Sequence, residues 1–467
     1  MITTINNEHK KLNFSSEREQ SQACLNSAEH EKNQGRKVLN VPNKQEQNQT
    51  CLDSAEREGL RPKGNVPNLR FPEFQEEWEK CKVSDLLDFY STNSLSWDKL
   101  EYGTTNIQNL HYGLIHVGLP TMVDIDKDNL PNIIDGNVPK NYELCKEGDI
   151  VFADASEDTN EVAKAVEYYN LNGKKVVCGL HTIHGRDNKN KTVVGYKGYA
   201  FSSMSFHHQI RRIAQGTKIY SINSKNFSEC YVGIPSKDEQ QKIAYLLRLI
   251  DERIATQNKI IDKLQSLIKG ICNNYFEKLS VQEKANLIRL SDVLKERNEY
   301  SSKDGKFIHG TLSKDGIFPK TGRWDRDFLV KQEDKKYKVS HLDDICYNPA
   351  NLKFGVICRN TFGDLIFSPI YVTFEVCKNV NIGFMELYLT NHNFIEKVRR
   401  FEQGTVYERM AVSPEDFLSY KIRIPSYSDQ TFFYKKVQWL ITLSQNEMKL
   451  LSQYKKLRQY LLRQMFI

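Results

Sequence analysis

Two segments of the sequence carry side chains suited to contact an anionic polymer. The segments "HHQIRRIAQGTK" (207–218) and "EKVRRFEQGTVYER" (396–409) each place paired arginines ahead of the tripeptide Gln-Gly-Thr. Arginine and lysine bind phosphates, and both also read base edges in the major groove of DNA. The formal net charge of +7 permits an acidic partner without demanding one. The chemistry that these segments favour is nucleic-acid contact.

Residue types found in enzymes are present, but their patterns are incomplete. The loop "YNPANLKF" (347–354) has the Asn-Pro of an adenine methyltransferase without the second proline and the aromatic residue, and no glycine-rich turn precedes a helix. The phosphate-binding motif GxxxxGK[ST] of a motor is absent. The carboxylates and lysine of "SEDTNEVAKA" (156–165) favour a solvated loop or helix over a nuclease site, and His181 and His208 lack a partnered nucleophile. The sequence therefore predicts a chain without catalytic residues.

The cysteine pattern and the apolar segments indicate the cellular compartment of the protein. Ten cysteines are scattered with no CxxC pair and no histidine at metal-ligand spacing, which predicts reduced thiols, no metal and no cofactor. The N-terminus lacks the apolar core of a signal peptide, and no stretch approaches the roughly 18 apolar residues of a membrane helix. We therefore expect a cytoplasmic protein with no membrane partner.

The first 68 residues form a duplicated leader. The segment 23–43 is echoed by 50–68, and both copies are rich in Asn, Gln, Glu, Ser and Lys and poor in large apolar groups. Such segments cannot bury enough surface to offset the entropy of ordering. The sequence therefore predicts a low-complexity, mobile leader over residues 1–68.

Ordered structure is expected from residue 69 onward, in two similar α+β domains. The opening "VSDLL" at 83–87 is answered by "LSDVL" at 290–294. Short apolar segments broken by Gly, Asn and Asp predict strands of a mixed or antiparallel fold. These segments are "YGLIHVG" (112–118), "GDIVFAD" (148–154), "KKVVCGLHT" (174–182), "VVGYKGYAF" (193–201), "DDICYNP" (343–349), "FGVICRN" (354–360) and "SPIYVTFEV" (368–376).

Each predicted domain ends at a repeated junction that leads into a long helix. "IPSKDEQQKIAYLL" at 234–247 aligns with "IPSYSDQTFFYKKV" at 424–437 at a constant offset of 190 residues. Each helix is expected to run about 38 residues, or roughly 57 Å. The predicted boundaries are 69–236 for the first domain, 237–278 for the first helix, 279–425 for the second domain and 426–467 for the second helix.

Apolar residues in both helices alternate in steps of four and three. That period is typical of a coiled-coil seam. The seam positions are Ile243, Leu247, Ile250, Ile254, Ile261, Leu264 and Ile268 in the first helix, and Phe433, Val437, Leu440, Leu451 and Tyr454 in the second. Antiparallel packing of the helices would relate the two domains by a pseudo-twofold axis, an arrangement that suits two half-sites on a duplex.

From residue 69 to 467 the chain resembles the DNA specificity subunits of type I restriction-modification systems. The resemblance rests on "LRFPEF" (69–74), the two Ile-Pro-Ser junctions, the two Gln-Gly-Thr segments, "CGLHTIHGR" (178–186), and "YKVSHLDDICYNPANLKFGVI" (337–357) with "SPIYVTF" (368–374). In that family each domain is a target-recognition domain for half of a split sequence in double-stranded DNA. The helices act as spacer and docking platform for two methyltransferase subunits, and motor-nuclease subunits join that core in bacterial or archaeal cells. The leader departs from the family pattern.

Candidate DNA-contacting residues are the polar, basic and aromatic residues of the loops and of the Gln-Gly-Thr segments. In the first half they are Asn93, Ser94, Trp97, His116, Ser156, His181, Arg211 and Arg212. In the second half they are Lys314, Lys320, Arg323, Trp324, Asn351, Lys353, Arg399 and Arg400. The Gln-Gly-Thr segments could equally be structural turns.

A coiled-coil adaptor that binds only protein is the alternative hypothesis. It accounts for the two helices but leaves the duplicated basic segments without a role. Binding to DNA would distinguish the two hypotheses.

Overall fold

The computed structural model describes residues 64–104, 106–301, 307–314, 316–320, 336–404 and 410–467. The chain divides into two units, Met1–Pro62 and Lys63–Ile467, and all the elements below belong to the second. The leader predicted over residues 1–68 lies outside the described residues as far as residue 63. No helix in the described ranges is long and apolar enough to span a bilayer.

Two long helices begin directly after the repeated junctions. They cover Lys237–Val281, with 45 residues, and Tyr427–Gln464, with 38 residues. Ser236 and Ser426 cap them, because each hydroxyl accepts the backbone N–H of the third helical residue, at 3.4 and 3.2 Å. The first helix is longer than the roughly 38 residues expected, since its last turns continue until Leu279 is buried in the second domain.

The two long helices pack side by side in opposite directions. Near one end of the pair, the rings of Tyr275 and Phe433 stack with their centroids 3.7 Å apart. Toward the other end, Arg458 Nε donates a hydrogen bond of 2.5 Å to the Asp251 carboxylate. Because a late residue of one helix meets an early residue of the other in both contacts, the pair is antiparallel. The predicted α+β fold with an antiparallel helix pair is confirmed.

A polar pair marks the middle of the coiled coil. Gln257 Nε2 donates to the carboxylate of Glu447, a residue 190 positions later. The two copies of the Ile-Pro-Ser junction have the same offset. Two equivalent residues that contact each other lie at the axis relating the copies. The helix pair therefore has an internal pseudo-twofold axis at Gln257 and Glu447.

Every residue predicted for the helix seam is buried or half-buried. The buried ones are Ile243, Leu247, Ile250, Ile261, Phe433 and Val437, and the half-buried ones are Ile254, Leu264, Ile268, Leu440, Leu451 and Tyr454. Burial is most complete near the start of each helix, because there the preceding domain covers the seam as well.

Each domain closes its hydrophobic core over both helices. The first core combines Leu247, near the start of the first helix, with Phe466, just after the end of the second. The second core combines Val437, near the start of the second helix, with Phe276, near the end of the first. Burial of such large apolar side chains is the main favourable contribution to folding. Each domain therefore needs both helices to complete its core.

The first domain is built from two mixed sheets and two short strand pairs. Its five-stranded sheet has the order Asp88–Tyr90, Thr182–Arg186, Ile150–Ala153, Ala165–Asn170 and Met122–Asp124. Its four-stranded sheet has the order Val176–Cys178, Gln108–Leu110, Asn132–Ile133 and Leu100–Glu101. Tyr220–Ser221 pairs with Ala155–Ser156, and Glu79–Lys82 with Tyr231–Ile234. The short helices are Val83–Leu86, Trp97–Lys99, Tyr112–Val117, Lys197–Phe201, Met204–Ile213 and Ser224–Ser228.

The second domain has sheets of the same sizes, of which the five-stranded one is mixed and the four-stranded one is antiparallel. Its five-stranded sheet has the order Tyr300–Ser301, Tyr337–Ser340, Leu365–Phe367, Ile308–Ser313 and Gly316–Pro319. Its four-stranded sheet has the order Leu294–Glu296, Val372–Val376, Ile345–Tyr347 and Ile357–Arg359, and Asn286–Arg289 pairs with Lys421–Ile424. The short helices are Leu290–Asp292, Pro349–Phe354, Ile382–Leu389, His392–Val398, Arg399–Phe401 and Pro414–Ser419.

The glutamine of each repeated junction connects a domain to its helix. Gln240 Oε1 accepts the backbone N–H of Val193 at 2.9 Å, and its Nε2 donates to the junction proline carbonyl at 2.9 Å. Gln430 makes the matching pair of bonds, to the N–H of Asn381 and to its own junction proline, both at 2.9 Å. Both side chains are buried. The repeated sequence is therefore explained by a repeated attachment between domain and helix.

Two segments predicted as strands are helices. "YGLIHVG" forms the helix Tyr112–Val117, because His111 accepts a backbone N–H and caps it. "VVGYKGYAF" contains the helix Lys197–Phe201, and buried Glu167 accepts two backbone N–H groups at its start, at 3.0 and 2.8 Å. Periodicity does not separate a strand from a helix in so short an apolar run. Capping groups decide both cases, the adjacent His111 for the first helix and the distant Glu167 for the second.

The shared cores predict that the chain end stabilises the first domain. The Phe466 ring lies 6.2 Å from that of Trp78 and 6.0 Å from that of Tyr196. Phe466→Ala should destabilise the first domain by about 3 kcal/mol, because truncation leaves a cavity. Hydrogen exchange should show protection lost from residues 79–234 and retained in 286–424.

Phe432→Ala is the matched control, because that ring is 61% exposed on the second long helix. It should leave protection unchanged in both domains. Equal loss of protection in both domains of the Phe466→Ala variant would contradict the division into two cores.

Candidate nucleic-acid interface

Four rings form a cluster on the first domain. Ring centroids lie 4.5 Å apart for Trp97 and His111, 4.7 Å for His111 and Tyr112, and 5.2 Å for Tyr112 and His181. Trp97 is 45% exposed. Burial, and then the neighbouring His181, lowers the pKa of His111 to about 4. His111 is therefore neutral near pH 7, as its role as a hydrogen-bond acceptor in the helix cap requires.

His116 and Ser156 join this cluster through one loop. The His116 ring lies 6.0 Å from that of Tyr112, and its Nε2 is 2.9 Å from the carbonyl oxygen of Ala155, the residue before Ser156. His181 Nδ1 lies 3.2 Å from the Asp154 carboxylate in the same loop. The fold thus brings together Trp97, His116, Ser156 and His181, four of the predicted residues.

A chain of hydrogen bonds connects this loop to the first pair of arginines. Ser156 Oγ accepts the N–H of Asp158 at 3.1 Å, and Asp158 accepts the N–H of Asn160 at 2.9 Å. Arg211 Nη1 then donates to Asn160 Oδ1 at 2.9 Å, while its Nη2 lies 2.7 Å from His208 Nδ1. The aromatic cluster and the basic helix therefore form one continuous polar surface.

Asn93 and Ser94 have different surroundings. Asn93 Nδ2 donates to Asn109 Oδ1 at 2.7 Å and to the Cys178 carbonyl oxygen at 2.9 Å. These bonds hold the loop that precedes Trp97, so Asn93 positions that loop. Ser94 is exposed beside it.

Four predicted residues of the second half lie in a turn, after a strand and in a 3₁₀ helix. Lys314 is in the turn between Ile308–Ser313 and Gly316–Pro319, and Lys320 follows the latter strand. Asn351 and Lys353 are half-buried in the 3₁₀ helix over residues 349–354. Arg323 and Trp324 lie outside the described residues.

The first arginine of each pair is bound within its own domain. Arg211 is bound by its own domain as described above, and Arg399 Nη1 likewise donates to Glu396 at 2.9 Å. Arg212 and Arg400, the second members, are exposed. Neither has a hydrogen-bond or ionic partner among the described residues. In each pair, the first arginine is bound by groups of its own domain, and the second is exposed and can bind an anion.

Both Gln-Gly-Thr segments open a loop closed by paired backbone hydrogen bonds. Gln215 and Ser221 exchange bonds of 2.9 and 2.8 Å, and Gln403 and Ala411 exchange bonds of 2.9 and 3.0 Å. Gly216 has φ +137°, and a Cβ there would lie 1.9 Å from a carbonyl oxygen of the same loop. The first segment, residues 215–217, therefore acts as a turn, while Thr405 of the second segment lies outside the described residues.

Sequence reasoning missed His111, Tyr112, Asp154 and Asn160 as members of this surface. A signal was available for Tyr112 and His116, which lie on one face of a helix because they are four residues apart. Treating the segment as a strand concealed that relation. Asp154 and Asn160 gave no local signal, since their neighbours in the cluster come from distant parts of the chain.

Comparison with known proteins gives a consistent picture. Residues 75–266 match the family model described as the type I restriction modification DNA specificity domain. The chain is 26% identical, over 219 residues, to a protein of Methanocaldococcus jannaschii named as the type I restriction enzyme MjaX specificity subunit. That match covers 46% of this chain and 49% of the relative, so the chain spans about half the length of the curated relative.

Solved structures show the same fold. The S subunit of a type I restriction-modification system from M. genitalium superposes with a TM-score of 0.51 at 17% identity, over 86% of this chain and 99% of that chain. A chain from a study of complex assembly and conformational transition of the type I R-M system also gives 0.51, at 12% identity, over 82% and 96% of the two chains.

Residues 75–266 thus match a DNA specificity domain, and the chain shares the fold of the two solved chains. The chain is similar, in this domain and in its fold, to the specificity subunits of type I restriction-modification systems.

The exposed arginines predict a salt-dependent contribution to DNA affinity. Arg212→Ala and Arg400→Ala should each weaken duplex binding and lower the slope of log affinity against log salt by about 1, because each removes one phosphate contact. Titrations at several salt concentrations measure this slope. Lys259→Ala removes the same charge from the surface of the first long helix, and it should leave the slope unchanged. An unchanged slope in both arginine variants would exclude these contacts.

Proposed function

We propose that the chain is the DNA sequence-specificity subunit of a type I restriction-modification complex. It binds a bipartite target in double-stranded DNA and directs methylation and cleavage by partner subunits. Each domain acts as a target-recognition domain for one half of the target. The helix pair determines the separation of the two halves.

The pseudo-twofold axis at Gln257 and Glu447 carries this proposal. Symmetric DNA-binding dimers read two half-sites with two copies of one chain, held at a set separation. A single chain with two related recognition surfaces at a set separation meets the same geometric requirement. Each half carries an exposed arginine in an equivalent position, Arg212 and Arg400. An adaptor that binds only protein would not need an exposed arginine at the same position in both halves.

The chemistry is assigned to the partners because the candidate catalytic groups have structural roles. Asn348 Oδ1 accepts the N–H of Ala350 at 3.1 Å and caps the 3₁₀ helix that follows. Lys164 forms an ion pair of 2.7 Å with Glu161. Asp158 caps a turn, as described above. We therefore propose a non-catalytic role for the chain, without a cofactor for the reaction.

The surface of the helix pair suits two copies of one partner. Leu249 and Trp439 are 41% and 66% exposed, and Leu267 and Leu457 are 50% and 43% exposed. Within each pair the two residues are related by the 190-residue offset of the helices. Exposed apolar residues in clusters mark protein-binding surfaces. We assign the exposed apolar residues of the two helices, which are related by this offset, to the binding of two methyltransferase subunits. The motor-nuclease subunits then join the core complex that these subunits form with the chain.

Exchange of single domains tests the proposal. Residues 79–234 would be replaced by the corresponding domain of another member of the family, which keeps the helices and their seam. Methylome sequencing of cells that express the hybrid with the methyltransferase partner should show one half of the methylated motif changed and the other half retained.

The reciprocal hybrid, which replaces residues 286–424, is the matched control. It should change only the other half of the motif. A change in both halves from one exchange, or in neither half from either exchange, would contradict the assignment of one half-site to each domain.

A further inference from the structure

Two cysteines and a histidine meet inside the first domain. The sulfur atoms of Cys145 and Cys178 lie 3.4 Å apart. With a ring nitrogen of His184 they form a group whose ligand atoms all lie within 4.8 Å of one another. The three residues are 7%, 2% and 0% exposed. They come from different strands and loops, so the sequence shows no ligand spacing. The expectation of no metal, which rested on spacing, therefore did not take this group into account.

His184 is oriented as a metal ligand would be. Its Nε2 lies 2.7 Å from the Asp149 carboxylate, and Arg186 binds that carboxylate with two hydrogen bonds of 2.8 Å. The carboxylate thus occupies Nε2, and Nδ1 is the ring nitrogen without a hydrogen-bond partner among the described residues. A carboxylate on the other ring nitrogen is the usual second partner of a metal-bound histidine.

Two polar atoms near the cysteine pair lack a hydrogen-bond partner. The Nδ1 of His184 and the hydroxyl of Tyr168 are both fully buried, and neither has a partner among the described residues. Buried polar groups without partners are uncommon and call for an explanation. A bound cation would satisfy Nδ1 directly.

We propose that Cys145, Cys178 and His184 bind one zinc ion, with the Tyr168 hydroxyl or a water molecule as the fourth ligand. Two thiolates and an imidazole favour zinc among the common divalent ions. Two sulfur ligands at about 2.3 Å from a tetrahedral zinc are about 3.8 Å apart, so the present pair needs to open by only a few tenths of an ångström. Binding displaces the two thiol protons to solvent, and the zinc and two thiolates are together neutral.

The zinc would support the loop that carries His181. Cys178 ends a strand of the four-stranded sheet, and His184 lies in the five-stranded sheet. Residues 179–181 connect them. One ion bound to both sheets would hold this connection, and with it the position of His181 beside Tyr112. The zinc would therefore have a structural role, in support of the connection that carries His181.

Metal analysis of the purified full-length chain tests the proposal. Inductively coupled plasma mass spectrometry should find about one zinc per chain. Replacement by cobalt should give the near-ultraviolet absorption band of thiolate-to-cobalt charge transfer, which reports the two sulfur ligands. Cys145→Ser and Cys178→Ser should each lose the zinc and the band, and His184→Asn should change the ligand-field bands.

Cys346→Ser is the matched control. Cys346 is also buried, and it pairs across two strands with Cys358 in the second domain. This variant should keep the zinc. Wild-type chain that contains no zinc and takes up neither zinc nor cobalt would overturn the proposal, whether or not the serine variants fold. So would a Cys145–Cys178 disulfide detected by mass spectrometry, or full zinc retention in both serine variants.

Discussion

The antiparallel packing of the two long helices is the constraint on which the rest of the structure depends. Each domain encloses the start of its own helix and the end of the other one, so the cores at Leu247 and Phe466 and at Val437 and Phe276 form only when the helices are paired. The backbone N–H of Leu69 also donates to the carbonyl oxygen of Gln464 at 2.9 Å, which joins the start of the first domain to the end of the second helix. The separation of the domains is therefore a consequence of helix length.

Polar residues set the register of this helix pair. Gln257 and Glu447 place a hydrogen bond in a mostly apolar seam, and a buried polar position costs stability but disfavours shifted pairings. Arg458 reinforces the register, because it binds Asp251 on the facing helix and Thr121 of the first domain at 2.7 Å. The proposed reading of two half-sites needs this register, since a slip of the helices would move one recognition surface relative to the other.

The sequence predicted long-range features that repeat and missed local features that depend on distant contacts. The seam was predictable because its period is a property of the helix alone, and the repeated junctions were predictable because Gln240 and Gln430 make the same bonds twice. The helix at 112–117 was missed because its cap is a histidine, which is not among the usual cap residues. The group formed by Cys145, Cys178 and His184 could not be predicted, since sheet pairing brings together residues with no characteristic spacing. For the candidate interface, the sequence predicted which types of residue contact DNA. The fold determined which of those residues lie close together.

The most direct test of this account lengthens both helices at the pseudo-twofold axis. Four helical residues inserted after Gln257 and four after Glu447 keep the two helices matched in length, and a four-residue insertion only unwinds a coiled coil locally. The domains should move apart by about 6 Å, which corresponds to one or two base pairs at roughly 3.4 Å each. Methylome sequencing, with a control in which four residues are replaced rather than inserted, should show both half-sequences retained and the gap between them longer. An active complex with an unchanged gap would contradict the claim that the helix pair sets the spacing.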